Sequence, residues 1–472
     1  MIPLTVREIV DNIGGRLGAG VFESVVHGVT TDSRAARSGD LFVPLRGERF
    51  DGHEFAVAAL EAGAVATLVE SVAAEVLSER VQENPDLADR AMIVVDNALD
   101  ALGLVAGAVH HRSGARVVAI TGSTGKTSTK DLLSAALNGS LETIAAAGNH
   151  NNEIGVPLTL LRATAGTEAI VVEMAMRGRG QIAALAEYAR PEIGVITNIG
   201  LSHIELLGSQ EGIAEAKSEL AMSLPSAGRL IVNADDPWVD FMAERTEAAV
   251  TTFGLDPRAD FSAADIVYDD RACPGWRVVV EGRPGPIVSL KVPGRHNIVN
   301  ATAALAAAYH LGVPLEEAAG RLAEATLSAM RLNIFETADG VIVVDDTYNA
   351  NPTSMAGALD TLARIRPGAR HIAVLGRMAE LGHVSGREHE LLGARAAEAS
   401  LDLLIGVGGE TAALVESAAA AGQPTDTLKH FATKEAALDW LRTRLKSGDI
   451  VLVKGSRAVG LESVVAGLSR ED

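Results

Sequence analysis

The chain has 472 residues, too many for one hydrophobic core, so two to three domains are expected. It is 47% hydrophobic and 22% charged, the balance of a globular protein, and with 3% aromatics its cores must be built from Ala, Val, Leu and Ile. Its 41 Lys and Arg against 61 Asp and Glu give a net charge of −20, which argues against nucleic acid or an anionic membrane as main partner but not against a phosphorylated ligand held by a few local cations and backbone N–H groups.

In chain order, the opening MIPLTVREIVDNIGG lacks the basic segment and apolar core of a signal peptide. A first block, residues 1–95, mixes strand-like runs (DLFVPL, ATLVES, AMIVVDN) with a helical stretch over 55–62. The apolar stretch 98–109 is broken by Asp100 and too short to span a bilayer, so no membrane insertion is expected and the protein reads as soluble and cytoplasmic. A second block, 96–325, opens with a helical lead-in and continues RVVAITGSTGKTSTKDLL, then the buried-strand runs AIVVEMA, IGVITNIG and RLIVNADD. Unalternating apolar strands interleaved with helices predict a parallel sheet covered on both faces. The single Cys273 cannot pair within the chain and offers no metal-ligand spacing, which fits a reducing compartment. The Ala-rich 301–308 reads as a close-packed helix. A third block, 326–472, repeats the rhythm with VIVVDDTY, HIAVLGR, LLIGVGG and IVLVKGS, and with an amphipathic helix over 435–445. The expected class is therefore α/β throughout.

The strongest motif is TGSTGKT at 121–127, between a β-branched strand and a helix start. Glycines let successive N–H groups face one anion, and the following helix adds its positive end. Lys126 is placed to neutralise β/γ-phosphates and the Thr127 hydroxyl to ligate Mg²⁺. The first glycine of the usual phosphate-loop pattern would fall at Ile120, so this is a variant loop; the plain alternative is a Gly-rich turn that ends in Lys-Thr. A Mg²⁺ needs hard oxygen ligands. Glu173 closes the strand AIVVE at the sheet edge where such sites form, and reads equally as a carboxylate facing water. His203, in TNIGLSHIE, taken alone reads first as structural, and Lys217, in IAEAKSEL, as a solvated helix lysine.

The segments TGSTGKTSTK (121–130), GNHNNEIGVPLTLL (148–161), VVEMAM (171–176), TNIGLSHIELLGS (197–209), AKSEL (216–220), GRHNIVNATAALA (294–306), DDTYNANPTSM (345–355), LGRMAELG (375–382) and VKGSRAVGLE (453–462) together resemble the Mur ligase family. TDSR (31–34) and DLFVPLRGERFDGHEF (40–55) extend the likeness over nearly the whole chain. The resemblance implies three domains: a small N-terminal α/β domain binding a UDP-linked substrate, a central parallel-sheet phosphate-loop domain binding ATP, and a C-terminal Rossmann-like domain. The Tyr-Asn-Ala-Asn-Pro run at 348–352 points to the branch that adds D-alanyl-D-alanine to UDP-N-acetylmuramoyl-tripeptide in peptidoglycan synthesis, because other branches typically read Tyr-Ala-His-x-Pro there.

Carried over by residue, the resemblance implies that Gly122, Ser123, Thr124, Gly125, Lys126, Thr127 and Ser128 bind ATP. Asn297 would contact adenine, Arg331 the phosphates and Asp346 the ribose. Two Mg²⁺ ions would be served by Thr127, Glu173, His203 and a carbamylated Lys217, with Lys126, His203 and Lys217 as the catalytic set. Ser33, Arg34 and the loop from Arg46 to Asp51 would hold the uridine diphosphate. Asn151 and Asn152 would contact the sugar-peptide, and Tyr348 and Asn349 line the cleft. The plain alternatives are that Asn297 and Asn349 cap a helix or turn and that Arg34 and Arg46 are surface arginines. Arg377 and Gln181 depart from the family pattern, where Asp and Glu are usual, and receive no role; neither does His150. A monomer is expected. The competing functions are a sister ligase that adds one amino acid, a folate polyglutamylating enzyme, or a phosphate-loop switch protein that makes no bond.

Overall fold

The computed structural model of the protein describes residues 1–47 and 49–469. Its chain divides into two compact units. The first comprises Met1–Ala119, Gly139–Met176 and Gly180–Glu192; the second comprises Ile120–Asn138, Arg177–Arg179 and everything from Ile193 onward. The phosphate-loop segment thus groups with the later two-thirds of the chain.

In the first unit a five-stranded sheet runs in the order Arg16–Ala19, Ala91–Val95, Ala66–Glu70, Asp40–Phe42, Gly28–Thr30. Only its first strand is antiparallel to its neighbour. The runs AMIVV and ATLVE lie in the middle and are buried almost throughout, as unalternating apolar strands must be. Phe42, Val69, Met92 and Val94 pack there with Leu60, Leu77 and Leu87. The lead-in helix Ala98–Ser113 starts where the Asn97 side chain accepts from the N–H groups of Leu99 and Asp100, and stops at Gly114 with φ +65°. No helix among the described residues is long and apolar enough to cross a membrane. The unit also holds the parallel pair Thr143–Ala145 and Ala169–Glu173.

In the second unit the strands Ile193–Ile196, Arg229–Asn233, Ala249–Gly254 and Phe261–Tyr268 follow one another in parallel. Two further strands, Pro274–Val280 and Arg283–Ser289, then add antiparallel. The sequence reading did not anticipate this meander, since its strands are half-exposed and lack a clean period. At its turn Glu281 and Gly282 have φ +48° and +75°, the paired left-handed residues of a tight hairpin. Pro284 and Pro286 blunt the outer strand against pairing with another chain. The Ala-rich stretch is the middle of the helix Arg295–His310, with every residue from Asn300 to Ala308 buried.

The chain then enters a six-stranded sheet in the order Asn333–Glu336, Ile342–Asp346, Ile450–Lys454, His371–Gly376, Leu403–Val407, Leu428–Phe431. All but the first strand are parallel. The amphipathic helix spans Lys434–Arg442 and is N-capped by Thr433. The helix Pro352–Leu362 begins inside the Tyr-Asn-Ala-Asn-Pro run. There the Asn351 side chain accepts from Ser354 N–H at 2.9 Å, Asn351 N–H donates back to Ser354 Oγ at 3.1 Å, and Pro352 takes the first helical position. Asn351 Nδ2 also donates to Ser202 Oγ at 2.9 Å. Asn351→Ala is expected to cost about 1–2 kcal/mol, read as a lower melting midpoint, and Asn351→Ser to recover most of it by restoring the cap.

Candidate active site

The strand Arg116–Thr121 delivers the chain into the loop, and the helix Lys126–Leu137 leaves it. Gly122 has φ +145° and a Cβ there would lie 1.9 Å from Thr197 Oγ1; Gly125 has φ +80° and its Cβ would lie 2.4 Å from Asn300 Oδ1. Both glycines are therefore required by conformation and by space. The loop backbone is held from the side by the strand-end residues Thr197 and Asn198. Ser123 N–H donates to the Asn198 carbonyl at 2.9 Å, and Thr124 N–H to Asn198 Oδ1 at 3.1 Å. Asn198 Nδ2 donates in return to Thr124 O at 3.1 Å and Thr124 Oγ1 at 2.7 Å. Behind them Asp236 accepts from Ile199 N–H at 2.7 Å, and burial pushes its carboxyl pKa up. Lys126 Nζ donates to the Gly122 carbonyl at 2.7 Å, and no side chain caps the N-terminus of the helix. An uncapped helix start behind a curled backbone is the local chemistry of an anion site.

Arg331 reaches this loop. Its Nη2 donates to Thr127 Oγ1 at 2.9 Å, its guanidinium stacks 4.2 Å from the Tyr348 ring centroid, and its Nε is buried without a hydrogen-bond partner. A buried guanidinium N–H left unsatisfied costs on the order of 1–3 kcal/mol, and a phosphate oxygen would satisfy it. The residues on either side, Met330 and Leu332, have φ of +61° and +52°, a backbone strain of about 1–3 kcal/mol each for non-glycine residues.

Asp346, at the end of the strand Ile342–Asp346, pairs with Lys454 at 2.6 Å. Lys454 is itself buried and also donates to the Asn349 carbonyl at 2.9 Å. Asn349 caps no helix: its Oδ1 accepts from Ala350 N–H, and the cap belongs to Asn351. Asn297 is 0% exposed, with Nδ2 donating to the Pro293 carbonyl at 2.7 Å and Oδ1 accepting from Asn300 at 3.1 Å, so it presents no polar atom at the surface.

His203 has φ +65°, and its Nδ1 lies 2.5 Å from Glu380 Oε2. The pairing with His203 holds the Glu380 carboxyl below its ordinary range, against the opposing effect of burial. Lys217, in the helix Gln210–Met222, is 1% exposed, so the solvated lysine expected from IAEAKSEL alone is not what the fold contains. Ser128 is buried in the first turn of the loop helix.

The first unit carries the other expected residues. Glu173 is 3% exposed and accepts from Asn151 Nδ2 at 3.0 Å, so it does not face water. Asn152 Oδ1 accepts from Gly155 N–H at 2.9 Å and opens the helix Gly155–Leu160. Ser33 begins a short turn, Ser33–Ala35, capped by Asp32. Arg34 is exposed and paired with Asp32 at 2.7 Å, and its hydrogen bond holds that carboxyl at about 2. Arg46 bridges Asp51 at 3.1 Å and Glu70 at 3.3 Å. Glu48, within that loop, lies outside the described residues.

Within the second unit, then, the fold gathers Lys126, Thr127, Arg331 and Tyr348 about the loop, and Asp346 and Asn349 about Lys454. Sequence reasoning passed over Thr197, Asn198, Glu380 and Lys454, although each stands inside a quoted motif. Their importance is relational, since each acts through a partner distant in the chain. Among the described residues no three His, Cys, Asp or Glu side chains group as a metal site by themselves.

Comparison with known proteins places this geometry. The chain matches the Mur ligase family catalytic domain over residues 25–110, the Mur ligase middle domain over 120–308 and the Mur ligase glutamate ligase domain over 330–457. It is 36% identical to the UDP-N-acetylmuramoyl-tripeptide–D-alanyl-D-alanine ligase of Bacillus subtilis, over 99% of both chains. Among solved structures it is similar to MurF from Acinetobacter baumannii, with a TM-score of 0.88, 32% identity and 99% of each chain covered. It is also similar to the MurF ligase from Thermotoga maritima in complex with ADP, with a TM-score of 0.81, 30% identity and 94% and 97% covered. A phosphate loop reached by an arginine, in a chain alike from end to end to these proteins, means that this chain belongs to the Mur ligase family of ATP-dependent ligases.

Proposed function

We propose that the chain joins the amine of D-alanyl-D-alanine to the terminal carboxylate of UDP-N-acetylmuramoyl-tripeptide, converting ATP to ADP and phosphate. The observation that carries this is full-length likeness, at 36% identity, to a ligase of that name, together with an uncapped phosphate loop reached by Arg331, whose Nε is buried without a partner. A carboxylate and an amine do not condense in water without activation. A carboxylate oxygen attacks the γ-phosphorus and the bond to the ADP oxygen breaks, giving an acyl phosphate. The amine then attacks the carbonyl carbon, loses a proton, and the tetrahedral intermediate expels phosphate carrying that oxygen. The protein's contribution is positioning and charge neutralisation. Lys126 exchanges its bond to the Gly122 carbonyl for the β/γ-phosphates, and Arg331 adds a second cation. Asp346 takes the ribose. Because Arg331, Asp346, Tyr348 and Asn349 come from the C-terminal sheet region, docking of that region against the loop is part of the cycle.

Our assignment of the domains is 1–95 for the UDP-linked substrate, 96–325 for ATP and 326–472 for completing the nucleotide site. Ser33, Arg34 and Arg46 would hold the diphosphate, and Asn151 and Asn152 the sugar-peptide. The protein would work in the cytoplasm as a monomer. Mg²⁺ would neutralise phosphate charge in both steps. Hard oxygens suit such an ion, and the nucleotide, the Thr127 hydroxyl and a carbamate on Lys217 would supply them. His203, whose Nδ1 is turned to Glu380, has Nε2 for a metal. The first unit offers the buried carboxylate of Glu173.

The direct test is ADP release with each substrate omitted in turn. ADP should form only when both the UDP-linked tripeptide and D-alanyl-D-alanine are present. Release indifferent to either marks a switch protein, and release with a single amino acid in place of the dipeptide marks a sister ligase.

The carbamate has its own test. A neutral Lys217 amine adds to CO₂ with loss of one proton, turning a buried amine into an oxygen ligand. Lys217→Ala should lose most ligase activity, with partial rescue by acetate. Lys217→Arg should stay inactive, and the wild-type protein should show a mass increment of one CO₂ under native conditions. Wild-type turnover in Lys217→Arg would rule the carbamate out.

A further inference from the structure

Thr127 and Asp131 are four residues apart on the helix Lys126–Leu137, so one face presents a hydroxyl and, one turn on, a carboxylate. The linker leading to the C-terminal sheet runs antiparallel to this face. Arg321 Nη1 donates to the Ala136 carbonyl at 3.2 Å near the far end of the helix. Ser328 donates to Asp131 Oδ2 twice, from its N–H and its Oγ, both at 2.8 Å. Three residues later Arg331 meets Thr127. The other oxygen of Asp131 pairs with Lys130 at 2.8 Å, and both side chains are largely buried.

This arrangement answers a question that the strained backbone raises. Met330 and Leu332 hold left-handed conformations on either side of Arg331, and such a loop relaxes unless its ends are fixed. One end is fixed where Arg331 N–H donates to Asn333 Oδ1 at 2.9 Å and Tyr348 N–H donates to the Met330 carbonyl at 3.2 Å. The other is fixed at Ser328. We propose that Asp131 and Ser328 are positioning residues for nucleotide binding: their paired hydrogen bonds clamp the linker to the phosphate-loop helix and thereby hold the Arg331 guanidinium where the triphosphate is bound. The clamp touches no substrate and acts through Arg331 alone. It rests on the reading of Arg331 as a phosphate ligand.

Non-additivity tests it. Calorimetry with the ATP analogue AMP-PNP and Mg²⁺ compares the full-length wild type with Ser328→Ala, Arg331→Ala and the double variant. Losing one hydrogen bond to a charged group should weaken binding about fivefold to tenfold in Ser328→Ala, raising KM for ATP while leaving KM for the UDP-linked substrate unchanged. Ser328→Thr, which keeps the hydroxyl, should bind within about twofold of wild type. In the Arg331→Ala background the Ser328→Ala change should have no further effect. Equal weakening in both backgrounds would overturn the clamp and leave Asp131 and Ser328 as general structural residues. Wild-type affinity in Arg331→Ala itself would instead overturn the reading of Arg331.

Discussion

A phosphate loop must keep its N–H groups turned toward an anion, so it cannot satisfy its backbone with the regular hydrogen bonds of a helix or sheet. Here Asn198 fixes the loop's first residues from outside, and the anion falls to the uncapped helix start that follows. Its carbonyl and its side-chain amide together engage Ser123 and Thr124, while Thr197 occupies the space that any Cβ at Gly122 would claim. Asn198 is placed by the strand Ile193–Ile196 and by Asp236, whose carboxylate holds the next backbone N–H. The loop's shape is thus a property of the second unit's sheet and not of the glycines alone. Glycine permits the conformation, and the neighbouring strand end selects it.

The same economy governs charge. An acidic protein of net −20 would repel a triphosphate unless cations are concentrated where the anion sits. Lys126 and Arg331 are local to the loop, and Lys454 is buried beside Asp346 and the Asn349 carbonyl. Removing Lys454 would leave Asp346 as an uncompensated, mostly buried carboxylate, so the role expected of Asp346 depends on Lys454. Glu380 stands in the same relation to His203.

Much of this was legible before any coordinates. Apolar runs such as AMIVV, AIVVE and IVLVK are buried strands because their unalternating character leaves no wet face, and the loop was recognisable from glycine spacing between strand and helix. The meander over 261–289 was missed because half-exposed strands carry little periodic signal. The reading of Lys217 from composition was a solvated residue, whereas the fold buries it; only family resemblance pointed inward. What a single sequence could not convey is partnership. Ser328 with Asp131, Glu380 with His203 and Lys454 with Asp346 are separated by 197, 177 and 108 positions (328−131, 380−203 and 454−346), and nothing local in the sequence joins one member to the other.

The reaction assigned to this loop is activation of a carboxylate by phosphoryl transfer from the bound nucleotide. Oxygen labelling measures it directly. With UDP-N-acetylmuramoyl-tripeptide carrying ¹⁸O in its terminal carboxylate, one labelled oxygen should appear in the released phosphate for each amide formed. Unlabelled phosphate, released in step with amide formation, would contradict the acyl-phosphate route and the role assigned to the loop.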